Sequence, residues 1–109
     1  MFITVSPKAR EKFPQNYQNF LLLANDGSNP YSSAEGCCMI GDRFLLVAIS
    51  QVPEQYTIEI TDKDLHFYFS AYEENFLSGH LVIDVSASGF LVLKNEGGLL
   101  DNNLEIKRA

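Results

Sequence analysis

The chain has 109 residues, 46% of them hydrophobic and 20% charged. This is a globular composition at the usual size of one domain, long enough to bury a core without disulfides or a metal. Its formal net charge is −6, with four basic and five acidic side chains in residues 1–55 and four basic and nine acidic in residues 56–109. With no basic cluster to offset that balance, nucleic acid and anionic membrane surfaces are poor partners.

Phe2-Ile3-Thr4-Val5 reads as a short opening strand. Ser6-Pro7 is a helix start, because Ser caps and Pro occupies the first helical position, where a missing N–H costs nothing. The helix is expected over Lys8 to Phe13 and is interrupted by Pro14, with a second turn over Gln15 to Asn19. Phe20-Leu21-Leu22-Leu23-Ala24 reads as a strand buried on both faces. Asn25 to Pro30 is a strong turn signal, and the stretch through Met39 is expected to be irregular. Phe44 to Ile49 is another buried strand. Tyr56 to Ile60 and Leu65 to Phe69 alternate as half-exposed strands, the second with Leu65, Phe67 and Phe69 on one face and His66 and Tyr68 on the other. Ala71 to Asn75 is a helical turn. Leu81 to Val85 and Phe90 to Lys94 form a hairpin around Ser88-Gly89. Gly97-Gly98 is expected to end the ordered pattern, apart from a short edge strand over Leu104 to Lys107. No linker or repeat divides the chain, so residues 1–109 are expected to form a single domain. Seven to eight short strands with one N-terminal helix predict a mainly β (α+β) fold, a small sandwich or distorted barrel.

The start Met1-Phe2-Ile3-Thr4 lacks the basic region and long apolar run of a signal peptide. Phe44 to Ile49, the longest apolar run, is far below membrane-spanning length. A cytoplasmic location is therefore expected, where Cys37 and Cys38 would be reduced thiols.

That adjacent pair, in Gly36-Cys37-Cys38-Met39, is the one concentration of reactive chemistry. Thiolates bind soft metals and iron–sulfur clusters, and a neighbouring glycine lets the backbone approach an ion. Two ligands fall short of the usual four, although two subunits could supply four across a dimer axis. From residue types alone, the simpler reading is one cysteine packed as a small apolar residue and one incidental thiol. His66 and His80 have no ligand-spacing partner and read as surface residues; His66 is the better third ligand if the cysteine loop folds over the sheet. The acidic pairs Asp62/Asp64 and Glu73/Glu74 could bind a hard cation but read more simply as solvated turns. No nucleophile elbow and no phosphate-binding glycine loop is present.

The order of features resembles the HesB-like, A-type family of iron–sulfur cluster biosynthesis, in its small Gram-positive branch. Ile3-Thr4-Val5-Ser6-Pro7-Lys8-Ala9 is similar to the family's opening I-T-x-x-A, and Phe20-Leu21-Leu22-Leu23 to its next strand. Glu35-Gly36-Cys37-Cys38-Met39-Ile40-Gly41 resembles its glycine–cysteine segment, and Leu65 to Phe69 its L-P-V-Y-V-like strand. Leu81 to Val85 and Gly89 to Lys94 resemble its closing hairpin. The resemblance implies a HesB-like fold and a non-enzymatic accessory protein, a carrier or scaffold for iron or an iron–sulfur cluster. Cys37 and Cys38 would be its metal ligands, iron–sulfur assembly proteins its partners, and a homodimer its working form. Well-studied members carry a C-terminal Cys-x-Cys, whereas residues 97–109 here contain no cysteine. A protein-interaction module that kept the fold and lost the metal is the alternative. A small redox enzyme built on Cys37 comes third, since the nearby Glu35 disfavours a thiolate.

Overall fold

A computed structural model describes residues 1–32 and 44–109. Among these residues the chain runs β1 (Phe2–Val5), α1 (Pro7–Arg10), β2 (Asn19–Ala24), β3 (Phe44–Ile49), β4 (Ile58–Asp62), β5 (Leu65–Phe69), α2 (Ala71–Glu74), β6 (His80–Val85), β7 (Leu91–Asn95), β8 (Gly98–Asp101) and β9 (Glu105–Arg108). Two mixed sheets result, one ordered β1-β6-β7-β8 and the other β4-β5-β2-β3-β9.

Side-chain alternation explains how the sheets meet. In β1, Ile3 and Val5 are buried while Phe2 and Thr4 face out. In β6, Leu81 and Ile83 point inward. They meet Phe20, Leu22, Leu46, Phe67 and Phe69 of the five-stranded sheet in one core between the layers. Phe13 seals the core at its base, edge-on to Phe20 at 5.0 Å and to Phe67 at 6.2 Å between ring centroids. β2 and β3 are buried on both faces, because one face meets the second sheet and the other is covered by further side chains. Their second face carries Leu21, Leu23, Leu45, Val47 and Ile49, packed with Tyr31, Val52, Tyr56 and Tyr68.

The two sheets also touch at their edges, so the sandwich approaches a distorted barrel. On one side the Asp62 carboxylate of β4 accepts the Val5 N–H of β1 at 2.8 Å. On the other, Leu104 N–H donates to the Leu91 carbonyl at 2.9 Å.

Several expectations need correction. The first helix stops at Arg10 rather than reaching Phe13. Ser6 Oγ does cap it, accepting from Ala9 N–H at 3.1 Å. Beyond Arg10 the bonds Lys12 N–H to Ala9 O and Phe13 N–H to Arg10 O span three residues, a tightened last turn. Pro14 then has no N–H with which to continue. β4 begins at Ile58, because Tyr56 N–H closes a turn onto Pro53 O at 3.2 Å. Order does not end at Gly97-Gly98. A two-residue turn at Glu96-Gly97 joins β7 to β8, with Asn95 Oδ1 accepting Gly97 N–H at 2.9 Å and Gly98 at a φ of +127° that glycine tolerates. The described residues therefore hold nine strands, not seven or eight, and α2 is a second short helix.

Candidate functional site

Cys37 and Cys38 lie outside the described residues. What the structure establishes is how the chain is held on either side of residues 33–43. β2 and β3 pair antiparallel up to Ala24 opposite Phe44, so the intervening residues leave and rejoin the sheet at adjacent positions. Neighbouring strands do not extend that far. β5 pairs with β2 only along Asn19 to Leu21, and β9 meets β3 only from Leu45 onward. The ladder would thus end in orphan N–H groups, which are costly when buried.

Two buried carboxylates resolve this. β5 turns away into α2, and Glu73 of that helix, 2% exposed, accepts Ala24 N–H through Oε2 at 3.3 Å. Its Oε1 accepts Ser70 N–H at 3.1 Å and Ser70 Oγ–H at 2.5 Å, completing a capping box. On the other flank Asp101, 4% exposed, accepts Phe44 N–H through Oδ2 at 2.7 Å and Asn103 N–H through Oδ1 at 2.9 Å. The C-terminal β8–β9 turn therefore fastens the first residue after the cysteine-bearing segment.

The stem that precedes this segment is equally cross-braced. Asn29 Nδ2 donates to Ala24 O at 2.8 Å, and Asn29 Oδ1 accepts Tyr31 N–H at 3.1 Å. Ser32 Oγ donates to Asn25 Oδ1 at 3.0 Å and accepts Gly27 N–H at 2.8 Å, across a turn in which Gly27 has a φ of +86°. Lys107 Nζ of β9 donates to Tyr31 O at 2.8 Å. Tyr72 of α2 donates its hydroxyl to Asp26 Oδ2 at 2.5 Å. Partial burial pushes the Asp26 carboxyl up, but the hydrogen bonds from Ser28 and Tyr72 outweigh it and hold it below the ordinary carboxylate value. The same bond to Asp26 raises the Tyr72 hydroxyl. Tyr56 is raised chiefly by burial, then by the nearby Tyr31 and Glu73. A cavity of about 320 Å³ beside the stem is lined by Ser28, Asn29, Tyr56, Tyr72 and Glu73 among others.

The histidines stand apart from this region. His66 lies on the outer face of β5, its Nδ1 2.7 Å from Glu59 Oε2, an oxygen that also accepts the Tyr68 hydroxyl at 3.3 Å. His80 opens β6; its ring stacks on Phe2 at 4.3 Å, with Nε2 2.6 Å from Thr4 Oγ1. Among the described residues, no three His, Cys, Asp or Glu side chains gather as a metal site. No described helix is long and apolar enough to cross a membrane.

The sequence model of the family described as "Iron-sulphur cluster biosynthesis" matches residues 1–108. The chain belongs to the iron–sulfur cluster biosynthesis family. Two crystal structures share its fold. A candidate Fe-S biosynthesis protein from Lactobacillus acidophilus is 23% identical, with a TM-score of 0.79 over 99% of this chain and 90% of that one. Another from Lactobacillus salivarius is 25% identical, with a TM-score of 0.73 over 99% of this chain and 98% of that one. Among curated proteins, none matches the chain.

For a member of this family, the residues that sequence reasoning undervalued are Glu73 and Asp101. Glu73 reads as a solvated turn residue but is buried. Its signal was Ser70-Ala71-Tyr72-Glu73, the S-x-x-E pattern of a capping box. Asp101 begins Asp101-Asn102-Asn103, a composition that favours a side-chain-to-backbone turn. Asp62, also read as solvated, accepts the Val5 N–H.

Proposed function

We propose that this protein is a non-enzymatic carrier in iron–sulfur cluster biogenesis, taking iron or a cluster as transient cargo on the thiolates of Cys37 and Cys38. The family match along residues 1–108 supports this reading, and the cysteine pair is the soft-ligand chemistry the chain offers. Residues 97–109 contain no cysteine, so one chain offers two thiolates and further ligands would come from a second copy or from the assembly protein that exchanges the cargo. Incomplete ligation suits a carrier, because cargo held by few protein ligands can be handed on. The test is anaerobic reconstitution with ferrous iron and sulfide. The wild type should take up iron and develop the visible absorbance of a cluster, and a Cys37→Ser/Cys38→Ser variant should not. If both stay colourless and iron-free, the carrier reading fails.

A second reading, an interaction module of the same fold, is favoured by Phe2 and Leu99, which are 58% and 59% exposed. Thermal melting separates the two readings. Ferrous iron that binds the native state alone must raise the midpoint, whereas an interaction module melts at the same temperature with and without it.

A further inference from the structure

The cavity of about 320 Å³ lies where α2, the stem and the turn ahead of β4 meet, and its lining includes Asn29, Gln55, Tyr56, Ser70, Tyr72 and Glu73. The chain around it carries charge of one sign. Residues 25–32, 50–57 and 70–77 hold Asp26, Glu54, Glu73 and Glu74 and no lysine, arginine or histidine. The ion pairs among the described residues lie elsewhere, at Arg10–Asp64, His66–Glu59 and Lys94–Asp84.

Glu73 is the unusual member of this lining. It is 2% exposed, and a buried carboxylate is ordinarily matched by a cation. Its donors here are all neutral: Ala24 N–H on Oε2, and Ser70 N–H and Oγ–H on Oε1. A carboxylate offers about four acceptor sites, so three donors leave one, on Oε2. The charge is felt at Tyr56, whose hydroxyl is raised by burial, by Tyr31 and by Glu73 itself. Asn29 and Gln55 add amide oxygens, and Tyr56 and Tyr72 add two aromatic rings.

We propose that this cavity is a socket for an arginine side chain presented by a protein partner. A guanidinium supplies the missing positive charge. Its planar fork of donors can bond Glu73 Oε2 and the amide oxygens of Asn29 and Gln55 together, and its flat cation gains from a tyrosine ring. A lysine ammonium, compact and strongly hydrated, fits a site half lined by rings less well. The volume is at the lower end for ligand sites, which suits a single side chain. An arginine seated here holds its protein against the stem, whose last residue, Ser32, is five positions ahead of Cys37. That the partner is the assembly protein exchanging cargo rests on the carrier reading; the socket itself does not use the thiols.

The test is titration of the full chain with a capped Gly-Arg-Gly peptide, followed by amide NMR. Shifts should centre on Asn29, Tyr56 and Tyr72, with a dissociation constant of order 1 mM for this single contact. The same peptide with citrulline, which keeps the shape and loses the charge, should bind at least about tenfold more weakly. Glu73→Gln keeps an acceptor for Ala24 and removes the charge, and should weaken the arginine peptide by a similar factor. If that variant folds poorly, the citrulline comparison reads the charge on the wild type. Tyr72→Ala should cost about threefold. Cys37→Ser/Cys38→Ser should bind the arginine peptide as the wild type does, so failure of the socket and failure of the carrier reading are told apart. No shift at these residues up to about 20 mM peptide, or equal binding of the arginine and citrulline peptides, overturns the proposal. So does tighter binding of free arginine than of the peptide, which would make this a small-molecule site. Binding that appears only in an Arg43→Gln variant overturns it too, because the chain's own arginine would then fill the socket.

Discussion

The five-stranded sheet buries both of its faces, but by different means. Its inner face meets a second sheet, and the contact is strand against strand: Leu22, Leu46, Phe67 and Phe69 against Leu81, Ile83 and Leu93. Its outer face, with Leu21, Leu23, Leu45 and Val47, is packed with side chains from connecting segments, among them Tyr31, Val52 and Tyr56. The leucines of both faces are fully buried. The inner layer is fixed by two hydrogen-bonded ladders, whereas the residues that cover the outer face are positioned by individual side-chain bonds such as Lys107 to Tyr31 O. Near-identical residues in β2 and β3 thus serve a rigid interior on one face and, on the other, a cover that includes the stem of the cysteine-bearing segment.

Truncation on each face would sharpen this contrast. Phe67→Ala removes a ring that touches Phe13 and Phe20 in the middle of the interior. It should cost about 3–5 kcal/mol, a large fraction of the stability of a small domain, and denaturant unfolding would read it. Leu45→Ala on the outer face should cost less, about 2 kcal/mol, because a cover of connecting segments can relax into the space. Equal costs would mean that the two faces are equally rigid.

The carboxylates at the end of the β2–β3 ladder come next in size. Asp101→Ala leaves the Phe44 N–H without its acceptor and should cost about 1–3 kcal/mol in unfolding experiments. Asp101→Asn retains one acceptor oxygen and should cost less. Glu73→Ala should fall in the same range, since it strips the acceptor from Ala24 and dismantles the capping box at Ser70. Amide exchange should show faster opening at Ala24 in the Glu73 variant and at Phe44 in the Asp101 variant, with the interior unchanged. Uniform acceleration across all strands would deny these residues a local role.

How far the sequence reveals these features depends on the kind of contact. Strands such as Phe44–Ile49 and Leu65–Phe69 are legible because burial imposes a run or a period of two on adjacent residues. The parallel pairings of β1 with β6, β2 with β5 and β3 with β9 are not, because nothing local records which distant strand lies alongside. The roles of Asp101 and Asp62 were hidden for the same reason: each partner is 57 positions away. Glu73 was half-legible, since its capping box is local while its bond to Ala24 spans 49 positions. Of the candidate site, the sequence names the thiols and the structure supplies the anchoring of the chain on either side of them.

The smallest expected effect lies at the tie between Tyr72 and Asp26, which joins α2 to the stem. The folded protein holds Asp26 below its ordinary value, so the unfolded chain binds more protons over the interval between the two. The stability this contributes is therefore present above the ordinary carboxylate value and is lost as pH falls through the folded one. Tyr72 is shifted the other way, upward, so its contribution is present below the ordinary phenol value and is lost as pH rises through the folded one. One hydrogen bond thus supports the stem across the neutral range and weakens at both extremes. Tyr72→Phe deletes it while leaving the ring against Phe76, 5.2 Å away between centroids. The Asp26 carboxyl should then titrate at higher pH, read by NMR, and the acid limb of the stability curve should flatten. Because the group is exposed, the change at neutral pH should stay well below that of any core or ladder-end variant. If Asp26 titrates unchanged in Tyr72→Phe, its depression comes from Ser28 and its own backbone N–H, and α2 is held here by the Glu73 bond to the end of β2 and not by Tyr72.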